Sequence, residues 1–320
     1  SHLVRGSTRE IGATRSLSEQ WEEGEYRNRC VCQRIRPMTK LLLATEAIAS
    51  GEVSRRQLAR QYTKLYRNVY HRNDITLTAV DRAHAAWLWS GRHAIVAGLS
   101  AAALLGSRWV PADRPAELIR VHHRTPTGIV SHKDDVAEDE VCDVNGISCT
   151  TTARTAFDLG RWLPFEEGLI RVDALLNATD VAVDDVSELA ARYPGSRNIR
   201  RLRRVIVLAD GGAESPQESR LRLALIGGGL PRPVTQIPVR NSYGRVVRRI
   251  DMGWPQWKVG VEYDGEQHWT DARNHAGDID RLEFLSGLGW RIIRVSALHL
   301  RTDRVGIVRR AENALRAAAA

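Results

Sequence analysis

The sequence predicts an α+β/α/β protein built from several units. Three observations carry that expectation. Apolar residues at helical spacing alternate along the chain with short β-branched runs. A length of 320 residues with 43% hydrophobic and 27% charged side chains suffices for two or three units and at least one sizeable core. A Gly211-Gly212 pair sets the last third apart from what precedes it. No apolar run reaches the roughly 20 residues of a membrane-spanning helix, so no membrane partner is expected. The four cysteines form no disulfide scaffold. Cys30 and Cys32 are too close for a routine bridge. Cys142 and Cys149 are spaced to allow one, but a reduced, cytoplasmic chain is the simpler expectation. A net charge of +9 points to a polyanionic partner, DNA first. The bias is almost all arginine, which GC-rich coding also produces.

Residues 1–37 carry scattered arginines and an acidic patch at Glu22, Glu23 and Glu25 but no sustained period, and read as a disordered tail or upstream extension. Residues 38–75 read as a helix-turn-helix-like, winged-helix-like unit. Leu41, Ala44, Ala47 and Ile48 form a helical stripe that stops near Gly51, and Ser54 with Gln57 makes a capping box for a second helix. Residues 65–70 then read as a strand, as a wing would. Arg55, Arg56 and Arg60 lie on the second helix. Arg55 and Arg56 are candidate DNA contacts, the alternative being a small helical unit with solvated arginines.

Residues 76–205 read as a mixed α+β region, with helices at 79–90 and 100–105, strands at 118–122 and 129–132, and an acidic turn at 134–140. His122, His123 and His132 lack the further ligands of a metal quartet and read as surface or strand histidines. Residues 146–161 read as a strand, a capping threonine cluster and an amphipathic helix. The run RNIRRLRR, at 197–204, offers Arg200, Arg201 and Arg204 to phosphates, or else is a helix with one solvated face.

After the glycine pair, Ser215 caps a helix with Pro216 at its first position, Leu221, Ala224 and Leu225 on its apolar face and Gly227–Gly229 as its stop. Residues 234–239 read as an edge strand broken by Pro238. Residues 245–251 and 258–264 read as an antiparallel hairpin around Gly253, Trp254 and Pro255. A helix at 278–288, a strand at 291–295 and a helix near 305–315 complete this unit of residues 210–320. Within it, Asp251 ends an apolar and basic strand. Glu262 and Asp264 share one face of VGVEYDG while Val259, Val261 and Tyr263 take the other. Carboxylates gathered at adjacent strand ends repel, and Mg²⁺, which takes hard oxygen ligands, resolves that conflict. The alternative is an Asp251 that caps a loop and an acidic pair that faces solvent.

These residues lie in five ordered stretches: ESPQESRLR (Glu214–Arg222), GLPRP (Gly229–Pro233), RIDMGWP (Arg249–Pro255), VEYDGEQHW (Val261–Trp269) and D-x-x-R-x-x-x-L-x-x-x-G-W-R (Asp278–Arg291). Together they resemble the very-short-patch-repair-like branch of the PD-(D/E)xK nucleases, and most closely its actinobacterial domain-of-unknown-function proteins. The resemblance covers the C-terminal third and implies a restriction-endonuclease-like mixed sheet flanked by helices. Thr151, Arg154, Thr155 and Asp158 resemble, more loosely, the T-x-x-R-T helix of AbiEi-like antitoxin regions.

The nuclease resemblance implies Asp251 and Glu262 as ligands of Mg²⁺ or Mn²⁺, and Glu218 as the helix acid that orients the attacking water. Capping by Ser215 and Glu218 explains Glu218 equally well. Asp264 stands where the wider superfamily carries a catalytic lysine, a departure that puts turnover in doubt. His268 is the implied acid, base or phosphate contact, with packing beside Trp269 as its alternative. Lys258, six residues before Asp264 and so ~20 Å away along a strand, is too distant to replace the lysine. Arg281 reads as an i,i+3 partner of Asp278. Arg245, Arg248 and Arg249 would hold the DNA backbone. The implied activity is metal-dependent hydrolysis of DNA phosphodiesters, in repair or defence. The competing expectation is a DNA-binding, antitoxin-like regulator on a catalytically inactive nuclease fold, with the middle region open to a protein partner.

Overall fold

The computed structural model describes residues 40–119, 124–265 and 281–319. The expected tail at 1–37 lies outside them, as do His122, His123, His268 and Asp278. The first described unit opens with strand β1 (Leu41–Leu43), helix α1 (Ala44–Ala49) and helix α2 (Arg55–Gln61). Strands β2 (Tyr62–Tyr66) and β3 (Val69–Arg72) follow. Leu41 therefore begins a strand, not the helical stripe, because Leu41–Leu43 pair antiparallel with Val69–His71. The single strand expected at 65–70 is a hairpin turning at Asn68, whose φ of +66° asparagine tolerates. Ser54 and Gln57 form the capping box as expected. Leu42, Ala47 and Val53 make this unit's small core, and the β1-β3-β2 sheet closes beside the two helices.

The middle unit is a mixed sheet of order β6-β5-β4-β8-β7, packed with helices. Its strands are β4 (Ile95–Val96), β5 (Ala116–Ile119), β6 (Ile129–His132), β7 (Val141–Val144) and β8 (Ile147–Thr150). Helices α3 (Ala79–Trp89) and α4 (Gly98–Leu104) match expectation closely. Thr151 caps α5 (Thr152–Trp162), accepting the Arg154 N–H at 3.3 Å. Helices α6 (Phe165–Ala178), α7 (Val183–Arg192) and α8 (Ile199–Leu208) complete it. α6 and α7 carry no sharp sequence signature and were not anticipated. One continuous core joins these elements, from Val69 through Phe157 and Leu175 to Leu202.

The last unit opens with α9 (Pro216–Gly227), capped by Ser215 with proline at its first position. Its sheet runs β12-β11-β10-β9. β9 (Val234–Arg240) is an edge strand as expected, but it continues through Pro238, whose missing N–H an edge accommodates. β10 (Val246–Trp254) runs through Gly253 and Trp254, where a loop was expected. A 3₁₀ turn leads to β11 (Val259–Asp264), antiparallel to β10. Helix α10, described over residues 281–287, precedes β12 (Arg291–Ser296), which lies parallel to β11. α11 (Ala297–Thr302), also unanticipated, and α12 (Arg304–Ala319) close the chain. Leu221 and Leu225 of α9, Val261 of β11 and Ile307 of α12 share one core; Leu285 of α10, with Ile237 and Ile250, anchors another. The protein is thus mixed α/β, with several mixed sheets. Among the described residues, no helix is long and apolar enough to cross a membrane.

Candidate active site

A close backbone approach and the strand register place the acidic strands side by side. A Cβ on Gly253 would lie 2.2 Å from the Val259 carbonyl oxygen, so β10 and β11 reach their observed spacing only with glycine there. The register pairs Met252 with Val261, which sets Asp251 opposite Glu262. Asp251 Oδ2 accepts the Tyr263 N–H at 2.8 Å. Glu262, 6% exposed, accepts through Oε1 from the Arg281 guanidinium of α10 at 2.6 Å. Arg281 also donates to the Arg249 carbonyl at 3.1 Å. It is thus tied to the metal-ligand candidate itself; its expected partner, Asp278, lies outside the described residues.

Burial is the main reason these acids hold their protons above the usual carboxylate range. It pushes Glu262 up to about 7, against the opposing charge of Arg281 and with help from the neighbouring Asp251. Burial raises Asp251 too, while the Tyr263 N–H and Arg281 pull it down. Glu218 is raised by burial, with Asp251 adding to the shift. Asp251 of β10 therefore acts electrostatically on both Glu218 of α9 and Glu262 of β11. Both oxygens of Glu218 are engaged at the helix start: the Ser215 hydroxyl donates to Oε1 at 2.7 Å and the Glu214 N–H to Oε2 at 3.0 Å. The capping explanation of Glu218 thus has a structural basis, with the carboxylate taking the N–H of Glu214 rather than that of Ser215.

Asp264 forms an ion pair with Arg294 of β12 at 2.8 Å. Its carboxylate is therefore matched by a cation from the parallel neighbour strand. Lys258 stands outside β11, in a left-handed turn with φ of +49°, and donates to the Leu288 carbonyl at 2.8 Å, beside the end of α10. The strand expected to begin at residue 258 thus begins at Val259. Among the described residues, no group of three or more His, Cys, Asp or Glu side chains stands close enough to hold a metal ion. What fits a hard cation is the opposed pair Asp251 and Glu262. Each has one oxygen bonded as above, and Mg²⁺ is commonly held by one or two carboxylates with water and substrate phosphate filling the rest.

The basic candidates divide by what they already contact. Arg245, Arg248 and Arg249 are exposed on or beside β10, and Arg55 and Arg56 are exposed on α2. Arg200 is exposed on α8, but Arg201 donates to the carbonyls of Arg161 and Leu163 at 3.2 and 2.8 Å, and Arg204 lies 4.4 Å over Phe165. The dense basic run is therefore in part a clasp on the end of α5. His132 is a strand histidine, as expected, at the end of β6: it pairs with Glu117 at 2.9 Å and stacks on Trp162. Arg281 and Arg294 are the site residues that sequence reasoning missed as site cations. Arg281 was visible only as a position in a motif.

No protein-family model matches the chain. Two uncharacterized proteins of Mycobacterium tuberculosis, MT2308 of strain CDC 1551 / Oshkosh and Rv2248 of strain ATCC 25618 / H37Rv, are each 32% identical to it over 152 residues. The match covers 48% of this chain and 56% of each relative, so the chain spans about half the length of the curated relatives it matches.

Proposed function

We propose that the C-terminal unit is a metal-dependent DNA endonuclease with a restriction-endonuclease-like, very-short-patch-repair-like arrangement, acting in the cytoplasm. The observation that carries this reading is the opposed pair Asp251 and Glu262, both desolvated and holding protons against the usual carboxylate behaviour. Burying like charges with partial compensation is costly, so such a pair is poised for a cation. Asp251 and Glu262 would hold Mg²⁺ or Mn²⁺, which supplies Lewis acidity toward the scissile phosphate. Glu218, with its raised proton affinity, serves as acceptor for the proton of the attacking water. His268 is the proposed donor to the leaving oxygen. Asp264 orients Arg294, and Arg281 brings to the phosphate the positive charge that the absent lysine does not. Arg245, Arg248 and Arg249 grip the strand backbone, a contact blind to base sequence.

The runner-up is an antitoxin-like DNA-binding regulator in which the nuclease fold no longer turns over. It is favoured by the Glu262–Arg281 and Asp264–Arg294 pairs, which already neutralise two of the acids. The N-terminal pair of short helices beside a three-stranded sheet, with Arg55 and Arg56 outward, supports DNA binding through a winged-helix-like unit in either case. The middle region is then the surface for a protein partner.

Nicking of supercoiled plasmid by the full chain decides between them, with Mg²⁺, Mn²⁺ or EDTA and beside Asp251→Ala and Glu262→Ala. The endonuclease reading expects metal-dependent nicking that each variant lowers by at least roughly 100-fold while DNA binding persists. No nicking with either metal, together with salt-sensitive DNA binding, rejects the enzyme and leaves the regulator.

A further inference from the structure

The β9–β10 hairpin ends in a turn that holds an aromatic ring out in solvent. Tyr243, in the turn at residues 241–245, is 87% exposed, more open than any other large apolar side chain among the described residues. The turn beneath it is tightly bonded. The Asn241 side-chain oxygen accepts the N–H groups of Tyr243 and Arg245, each at 3.0 Å. The Asn241 N–H bonds the Arg245 carbonyl at 2.9 Å, and the Gly244 N–H bonds the Asn241 carbonyl at 2.9 Å. Gly244 supplies a φ of +75°, and the Arg240 guanidinium donates to its carbonyl at 2.8 Å. The backbone under Tyr243 is therefore fixed. The ring joins none of the hydrophobic cores, so packing does not account for an aromatic side chain there.

The hairpin around the ring is cationic. No acid occurs from Val234 to Ile250, whereas Arg240, Arg245, Arg248 and Arg249 are all exposed. Arg240 and Arg248 bond backbone carbonyls of the hairpin, at 2.8 and 3.1 Å, which leaves their charge intact. Such a surface complements a polyanion. It is also continuous with the acidic strands. Arg249, two residues before Asp251, shares its face of β10. The strand begins at Val246, five residues before Asp251 and so ~16 Å away. At about 3.4 Å per base step, the tip stands roughly five base steps from Asp251.

Arginines alone suit any DNA, but the ring narrows the choice. A base offers its face to a protein aromatic where it is not already stacked between neighbours. Inserting one ring into an intact duplex must first separate two stacked bases, which costs about what the new contact returns. An unpaired base makes no such demand. We propose that the tip of the β9–β10 hairpin binds single-stranded DNA, with Tyr243 stacked on an unpaired base and Arg245 and Arg249 holding the phosphates beside it. The substrate class is then duplex DNA that carries a single-stranded arm, the arm lying along the hairpin. This binding rests on the reading of β10 as a DNA surface and is independent of turnover.

Fluorescence anisotropy on the full chain in EDTA tests it, with a blunt duplex and the same duplex carrying a single-stranded oligothymidine arm as probes. The armed duplex should bind at least about tenfold more tightly than the blunt one, the effect of one stacked base. Tyr243→Ala should bring the two affinities to within about twofold of each other. Tyr243→Phe keeps the ring and should retain the preference. Tyr243→Leu, apolar but not flat, should lose it. Tyr243 is exposed and outside every core, so the three variants keep the fold. Equal affinity of the wild type for both probes, or a preference that Tyr243→Ala leaves intact, overturns the proposal while the DNA surface stands. Binding of neither probe rejects that surface, and the proposal with it. Plasmid nicking, scored separately with metal, reports on turnover alone.

Discussion

Glu262 concentrates the residue-level chemistry. An ordinary glutamate ionises near 4.5, whereas burial holds this one protonated to about 7, even with Arg281 at 2.6 Å. The unfolded chain loses that proton first, so the folded state binds more protons between these two values. Stability from this group is therefore complete below about pH 4.5 and declines until about pH 7, by on the order of 3 kcal/mol. Glu262→Gln removes the titration. In urea unfolding the variant should be the more stable protein at about pH 8, with the advantage vanishing near pH 4.5. Added Mg²⁺ should narrow the gap at high pH by stabilising only the wild type. A difference independent of pH would show that Glu262 titrates normally and would remove the electrostatic argument for a cation.

At the scale of elements, α5 shows what its motif is for. Thr151 caps the helix and Thr155 bonds the Thr150 hydroxyl at 2.7 Å. Arg154 reaches Asp158 at 3.0 Å and pairs with Glu140, which also takes a bond from the Tyr193 hydroxyl at 2.6 Å. Burial pushes Asp158 up to about 6 despite the two arginines beside it. The T-x-x-R-T signature thus builds a closed ion network tying α5 to the strand edge and to the end of α7. Removing one member leaves uncompensated buried charge. Arg154→Leu should cost about 3–5 kcal/mol in denaturant unfolding. A cost below about 1 kcal/mol would mean that water reaches the network. Much of α5 was legible in advance, since a capping threonine and an amphipathic stripe are local features. The pairing of Arg154 with Glu140 was not, because Glu140 lies fourteen residues away on another element.

For the whole molecule, the joint between the middle and last units matters most. Arg222 of α9 is fully buried and meets Asp173 of α6 at 2.6 Å, while Ser219 bonds the same carboxylate at 2.7 Å. Arg232 adds bonds to the carbonyls of Val207 and Ala209 at 2.8 and 2.7 Å. Two motif stretches of the last third, ESPQESRLR and GLPRP, thereby hold it to the helices before it. Against this anchored frame, the excess of arginine predicts binding that weakens with salt. Replacing Arg245, Arg248 and Arg249 together by alanine should reduce the slope of log affinity against log salt by roughly 2–3, as measured by fluorescence anisotropy on duplex DNA. An unchanged slope would move the DNA contact to another face, with Arg55 and Arg56 the next pair to replace.

The features legible along the chain are those that neighbours in sequence decide. Ser54 with Gln57, Ser215 with Pro216, and the two-residue alternation of VGVEYD each act within a few residues, through capping or the pleat of a strand. Their elements stand where expected, and with them Glu218 and Glu262, whereas Asp251, expected at a strand end, lies inside β10, which runs on to Trp254. Leu41 departed from its helical stripe because His71, 30 residues later, pairs with it. β10 ran on through Gly253 because an adjacent backbone comes within reach of only a glycine. The pairs Glu262–Arg281, Asp264–Arg294 and Asp173–Arg222 span 19, 30 and 49 residues. A charged side chain does not encode which distant partner it meets. That depends on strand order and helix packing, and so it was the tertiary fold that turned separate acids into a compensated cluster.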